Sequence, residues 1–356
     1  MTAVRSEETR EQHAPAATVR DDVRANELDH YAHANAGATG YHLTGWLGVI
    51  ERAFGHETKT LAAVSRDGIE GVLPLVFFQS RLFGRFTVSM PFLNYGGVVA
   101  DTPAVRRALV DRAVEETRAR RGAYLELRHS DQLCPELAPK RHKVAMRLPL
   151  AGDPERQWDA LDRKVRNQIR KGEKSELTVE HGGGEMVDEF YTVFAHNMRD
   201  LGTPVYGKAF FAEVLRTFAD TARIFVVRHR GRPVAASLVY WHRSMIEVPW
   251  ASALRESNPL CANVLLYWHM LKFSIERGVT VFDFGRSTPN AGTFHFKKQW
   301  GAQPLELVWE YWNASGTPPP GLNPDNPKFD LAIRAWQRLP VAVATAIGPH
   351  VIRNIP

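Results

Sequence analysis

Glu276-Arg277-Gly278-Val279-Thr280-Val281-Phe282-Asp283-Phe284 ends a helix on a glycine and starts a strand. Arg120-Arg121-Gly122-Ala123-Tyr124-Leu125-Glu126-Leu127-Arg128 does the same in the first half of the chain. Glycine closes helices because it takes the left-handed conformation freely, and the apolar and aromatic residues that follow suit a strand. Working outward, a helical stretch precedes each junction, over 103–120 and 260–277. Ahead of the first lie strand-like runs at 60–65 and 71–78 around Asp67-Gly68, then 86–90. Ahead of the second lie 224–229 and 234–241 around Arg230-Gly231-Arg232, then 245–251. The same order appearing twice predicts a duplicated module rather than a solenoid, although strand–helix–glycine–strand also recurs by chance in α/β proteins. Trp46, Leu47, Ile50, Ala53 and Phe54 recur at helical spacing before Gly55.

The expected fold is α/β, with two tandem modules and mixed sheets. The expected divisions are a disordered tail at 1–20, modules at 21–150 and 151–317, and a Pro-rich arm with a short helix at 318–356. The second module opens on a basic helix, 158–174, with Arg163, Lys164, Arg166, Asn167, Arg170, Lys171 and Lys174.

The chain has 356 residues, 44% of them hydrophobic, enough for about two domains with real cores. Its two cysteines, Cys134 and Cys261, are too few for a disulfide framework or a thiolate metal site and fit a reducing compartment. No run approaches the ~18 apolar residues of a membrane span, and the charged N-terminus has no signal-peptide core. The expected location is the cytoplasm, including the inner face of the membrane. A formal charge of +6 suits phosphates, tRNA or acidic lipid, and is also ordinary for a soluble enzyme. No DNA partner is expected.

Several motifs fail on context. Gly202-Thr203-Pro204-Val205-Tyr206-Gly207-Lys208-Ala209 approaches a phosphate-binding loop, but a helix precedes it and Ala209 lacks the Mg²⁺-binding hydroxyl. Asp283-Phe284-Gly285 lacks the rest of a kinase. The histidines have no ligand spacing, so neither metal nor cofactor is expected. Acetyl-CoA-dependent acyltransferases of this architecture grip pyrophosphate with an Arg/Gln-x-x-Gly-x-Gly/Ala turn. The equivalent stretches, 255–260 and 101–103, have no such glycines.

Seven stretches stand in order along the chain. They are Val72-Leu73-Pro74-Leu75 with Ser80-Arg81-Leu82-Phe83-Gly84, then Tyr95-Gly96-Gly97, then Arg166-Asn167-Gln168-Ile169-Arg170-Lys171. Next come Asn197-Met198-Arg199-Asp200-Leu201-Gly202-Thr203-Pro204, Phe282-Asp283-Phe284-Gly285-Arg286, Phe296-Lys297-Lys298-Gln299-Trp300-Gly301 and Asn326-Pro327-Lys328-Phe329. Together they resemble the FemA/FemB/FemX aminoacyltransferase family, closest to its FemAB-like branch associated with exosortase (PEP-CTERM) systems. The resemblance implies two acyl-CoA N-acyltransferase-like (GNAT) modules. It also implies transfer of an amino acid from aminoacyl-tRNA to an amine on a peptidoglycan or exopolysaccharide precursor, which is in some cases lipid-linked. The chain lacks the long helical hairpin of certain members, where tRNA contact has been proposed. Aminoacyl-tRNA and acyl-CoA therefore both stand as donors, and a non-catalytic binder of a glycan or lipid head group stands as the reading from another class.

The resemblance also assigns a functional lysine to Lys297, beside Phe296, with Lys298 as its rival; without the resemblance, a solvated lysine pair is the simpler reading. A cation aimed at a developing oxyanion lowers the barrier to amide formation. Asp283 and Arg286 stand at a strand end, where ligands of α/β sheets collect. Asp283 suits proton transfer and Arg286 a phosphate or carboxylate clamp; a mere Asp283–Arg286 ion pair is the alternative. Arg166, Arg170 and Lys171 crowd one helix and suit an anion, or form a solvated face. Arg81, Tyr95 and Tyr206 are cleft candidates through the resemblance alone. The helix at 329–339, with Leu331, Ile333, Trp336 and Leu339, either touches a membrane surface or docks on the second module.

Overall fold

The computed structural model describes residues 17–80, 83–316 and 330–356. In chain order the first half comprises β1 (Thr18–Arg20), α1 (Ala25–Ala34), α2 (Gly45–Phe54), β2 (Glu57–Ser65), β3 (Gly68–Ser80), β4 (Gly84–Val88), β5 (Val99–Ala100), α3 (Pro103–Ala119), β6 (Tyr124–His129) and β7 (Ala138–Pro149). Two short helices follow, α4 (Pro154–Ala160) and α5 (Arg163–Glu173). The second half contains β8 (Leu177–Gly182), α6 (Val187–Leu201), α7 (Lys208–Thr217), β9 (Ala222–His229), β10 (Arg232–His242), β11 (Met245–Ala253), α8 (Ala262–Glu276), β12 (Val281–Ser287), α9 (Gly292–Lys298) and β13 (Gln303–Asn313). Helices α10 (Asp330–Gln337) and α11 (Val341–Ile352) end the chain.

Local chemistry accounts for these boundaries. The buried face of α2 carries Trp46, Leu47, Ile50 and Phe54, and Gly55 closes it at φ 69°. Thr102 caps α3 by accepting the Val105 N–H, with Pro103 in the first turn. The basic helix expected as one piece is two, α4 and α5, because Leu161 is extended and Asp162 caps α5 from its side chain. Residues 18–20, expected in a disordered tail, instead add an edge strand along β2, with Val19 packed on the first-half core. The expected C-terminal tail is also a helix, α11, which packs with α10 on α6. Phe329, at the start of the expected arm helix, lies outside the described residues.

The strands form one sheet in the order β1-β2-β3-β4-β6-β13-β7-β12-β11-β10-β9-β8, with β5 beside β3. The halves exchange strands at its centre: β13, from the end of the sheet-forming chain, pairs with β6, and β7 pairs with β12. Among the described residues two strand pairings are parallel. One is β4 with β6, through Thr87↔Leu125 and Val88↔Glu126. The other is β11 with β12, through Met245↔Val281, Ile246↔Phe282 and Glu247↔Asp283. Each pairing stops while a strand of the pair continues, so the sheet opens at two equivalent places, one per half. One hydrophobic core, including Trp46, Phe78, Phe210, Trp250 and Trp309, runs across both halves.

Candidate active site

The site lies where β11 and β12 part. Glu247 and Asp283 are the last register pair of that parallel ladder, so their side chains leave the sheet on one face. Phe282 and Phe284, on either side of Asp283, point into the opposite core against α8. Both carboxyl groups are enclosed, with Asp283 at 0% and Glu247 at 2% exposure.

Asp283 is fully partnered. Its Oδ2 accepts from Tyr95 Oη at 2.6 Å and from Arg147 Nε at 3.1 Å, and its Oδ1 accepts from the Gly285 N–H at 2.8 Å. Glu247 accepts one hydrogen bond, from Asn94 Nδ2 at 2.5 Å. The buried Tyr41 hydroxyl lies close to Glu247 but outside hydrogen-bonding geometry, and has no other partner. Burial, with Asp283 alongside, pushes Glu247 up to about 8. Two carboxylates side by side in a dry site do not both ionise readily, so Glu247 keeps a proton at neutral pH.

Asn94 and Tyr95 come from the first half, on the segment 89–98 that threads the opening between β4 and β6. The Gly97 N–H donates to Arg128 O, the Val98 N–H to His129 Nε2, and Arg128 Nη1 to Leu93 O. Two glycines permit this path. Gly96 sits at φ 119°, and a Cβ on Gly97 would fall 1.9 Å from the His129 ring.

Lys297 approaches from α9. It is buried, whereas Lys298 is exposed. Its Nζ donates to Gly285 O at 3.0 Å and Arg286 O at 2.9 Å. Both carbonyls lie at the point where the β12–β7 ladder shifts register, between Asp283 and Arg286, with Gly285 at φ 74°. Burial pushes the Lys297 ammonium down to about 8, against the opposing pull of Asp283 and Glu247. An ammonium has three donors, so one remains for a ligand.

Arg286 is half-buried and its guanidinium lies over the Trp309 ring at 5.6 Å. It is not paired with Asp283, whose cation is Arg147. Tyr206 joins the aromatic cluster of Phe54, Phe92, Phe210 and Phe211, and its hydroxyl, pushed up by burial, feels Arg286 and Arg128. Phe296 packs on Tyr267 and Trp300 in the core behind β12, where it anchors α9 and does not line the cluster. Arg166 reaches toward Asp159, Arg170 stacks on Trp158, and the Lys171 carbonyl accepts from Ser175. None of these three contacts leads to Asp283, Glu247 or Lys297. Arg81 lies outside the described residues. Tyr95, Asp283 and Lys297 thus converge, with Arg286 and Tyr206 beside them. The sequence reading missed Glu247, Asn94, Arg128 and Arg147. Its one available signal was a charge set inside an apolar strand, as in Met245-Ile246-Glu247-Val248.

Among the described residues no group of three His, Cys, Asp or Glu could hold a metal, and no helix is long and apolar enough to cross a membrane. Residues 160–298, which carry Glu247, Asp283 and Lys297, match the acetyltransferase (GNAT) domain family. The fold is a tandem GNAT fold. FemX superposes with TM-score 0.62 at 15% identity, over 82% of this chain and 96% of that one. The C-terminal domain of a putative lysylphosphatidylglycerol synthetase from Agrobacterium fabrum gives 0.56 at 12%, over 82% and 92%. A tandem GNAT protein from the clavulanic acid biosynthesis pathway gives 0.54 at 13%, over 83% and 96%. No curated protein sequence matches the chain.

Proposed function

We propose that the protein is an N-acyltransferase that moves an acyl or aminoacyl group from an ester or thioester to an amine, at the parting of β11 and β12. The observation that carries this reading is the enclosed trio of Lys297, Glu247 and Asp283, set within the segment that matches the GNAT domain family. The amine nitrogen bonds to the donor carbonyl, and the carbonyl oxygen gains negative charge. The bond to the donor's oxygen or sulfur then breaks, and the leaving group takes up a proton. Lys297 supplies a positive charge and a spare N–H for the developing oxyanion. Glu247, in the ionised form that grows in as pH approaches about 8, accepts the amine proton. Asp283 is the less available base, since three hydrogen bonds already occupy it. It holds Tyr95 and Arg147 and sets the proton affinity of Glu247.

Aminoacyl-tRNA is the first donor reading and an envelope precursor the first acceptor. The resemblance of the seven sequence stretches to the FemA/FemB/FemX family supports both, and FemX shares the fold. The chain from β11 to α8 also favours this donor over CoA. It is a 3₁₀ turn containing Pro259, followed by Cys261 at φ 59°, in place of a glycine turn. Acyl-CoA is the alternative, favoured by the family match itself. Purified protein would be incubated with a radiolabelled aminoacyl-tRNA pool and, separately, with acyl-CoAs, each with extracted envelope precursors. Transfer from tRNA that is lost in Lys297→Ala supports the first reading, and transfer from CoA alone supports the second. Precursor binding with no transfer from either donor would replace the enzyme with a binding module.

A further inference from the structure

Around Trp309 there is more positive charge than the neighbouring residues neutralise. Arg128, on β6, has a fully buried side chain. Its Nε donates to Glu126 Oε1 at 2.7 Å and its Nη1 to Leu93 O at 2.7 Å, while Nη2 is buried with no partner. The other Glu126 oxygen accepts from Tyr311 Oη at 2.7 Å. Arg286 makes no side-chain hydrogen bond or ion pair among the described residues. Both guanidiniums lie over Trp309, Arg128 at 4.2 Å and Arg286 at 5.6 Å, and Trp309 Nε1 is itself buried and unpartnered.

Among the described residues, only Arg128 of the two guanidiniums is answered by a carboxylate, Glu126. Of the two other acids on this face, Asp283 is already paired with Arg147, and Glu247 retains its proton up to about 8. His142, edge-on to Trp309, offers no negative charge, and burial together with Lys140, Lys143 and Arg286 pushes it down to about 4. An unanswered buried cation costs several kcal/mol in general, and a guanidinium pair is the usual protein answer to a planar or tetrahedral oxyanion.

We infer that Arg128 and Arg286, stacked on Trp309, form a receptor for a phosphate or carboxylate group carried by the substrate. The receptor adjoins the reacting groups, since Lys297 Nζ donates to the Arg286 carbonyl at 2.9 Å and its ammonium feels Asp283, Glu247 and Arg286. Which substrate carries the anion rests on the acyltransferase reading; the anion site itself does not.

Full-length protein would be titrated with inorganic phosphate, inorganic pyrophosphate and acetate, by calorimetry and by thermal unfolding. The three probes separate a phosphate from a carboxylate ligand. At least one is expected to bind and raise the melting temperature. Arg286→Gln should weaken it about ten- to a hundredfold, the loss of a charge-assisted hydrogen-bonded contact. Arg286→Lys should recover part of the binding. Without anion, Arg286→Gln should be as stable as the parent or more so, because it removes one of two like charges; a merely structural arginine would lower that stability. Lys297→Ala should bind the same anion while losing transfer, which separates this site from the acyltransferase reading. Equal affinity of the parent and Arg286→Gln for every probe would overturn the receptor, as would no binding of any probe by the parent.

Discussion

Tyr95 Oη donates to Asp283 Oδ2 at 2.6 Å, although 188 residues separate the two in the chain. One comes from the segment that threads the first opening of the sheet, the other from the strand that borders the second. The bond ties the halves together at the reacting cluster. Tyr95→Phe keeps the ring and removes the donor. A hydrogen bond to a carboxylate is worth about 1.5–3 kcal/mol, so urea unfolding should show a loss of that order together with slower transfer. Unchanged stability and rate would assign the contact no role.

Stability should carry the signature of Glu247. Its folded value is raised from 4.5 to about 8, so its contribution is fully present below 4.5 and is lost as pH rises through about 8. Lys297 runs the other way. Its value is lowered from 10.5 to about 8, so its contribution is present above 10.5 and is lost as pH falls through about 8. Urea midpoints measured from pH 4.5 to 8 should fall less steeply in Glu247→Gln than in the parent. Parallel curves would show that Glu247 titrates normally.

The same two groups shape the rate profile. Glu247 must be ionised to accept a proton and Lys297 protonated to oppose an oxyanion. The turnover rate should therefore rise and then fall around pH 8. Glu247→Gln should remove the rising limb along with most of the activity.

Gly285 holds φ 74°, and a Cβ there would lie 2.9 Å from Val248 O. Its carbonyl is also one of the two that receive Lys297. Gly285→Ala should cost about 1–2 kcal/mol for the left-handed backbone alone, plus the clash, and should shift Lys297. Denaturation and turnover measured together test this, and loss of stability with full activity would detach Gly285 from the site.

Much of this was legible in the chain. The glycine-closed helices and paired hairpins gave two similar halves, because those signals are local. The family resemblance pointed to Tyr95 and Lys297 and the strand end pointed to Asp283, and the structure brings the three side chains together. Glu247 was not, because Met245–Ala253 reads as an ordinary strand and nothing local says that its neighbour is Asp283. Arg128 and Arg147 were hidden for the same reason. Their environment depends on β13 and β7 crossing between the halves, a pairing set by contacts far apart in sequence. The family stretch Phe296-Lys297 also did not tell its two residues apart: Lys297 looks into the cluster and Phe296 into the core behind it.

The most direct test is the turnover rate of acyl transfer to an amine in the parent, Lys297→Met and Lys298→Ala, using the donor found active. Lys297→Met replaces a buried ammonium with an apolar side chain of similar length, so folding should survive. A loss of about 10²–10³ in rate with Lys297→Met, and parent-like turnover with Lys298→Ala, is the predicted result. Parent-like turnover in a folded Lys297→Met protein would contradict the account.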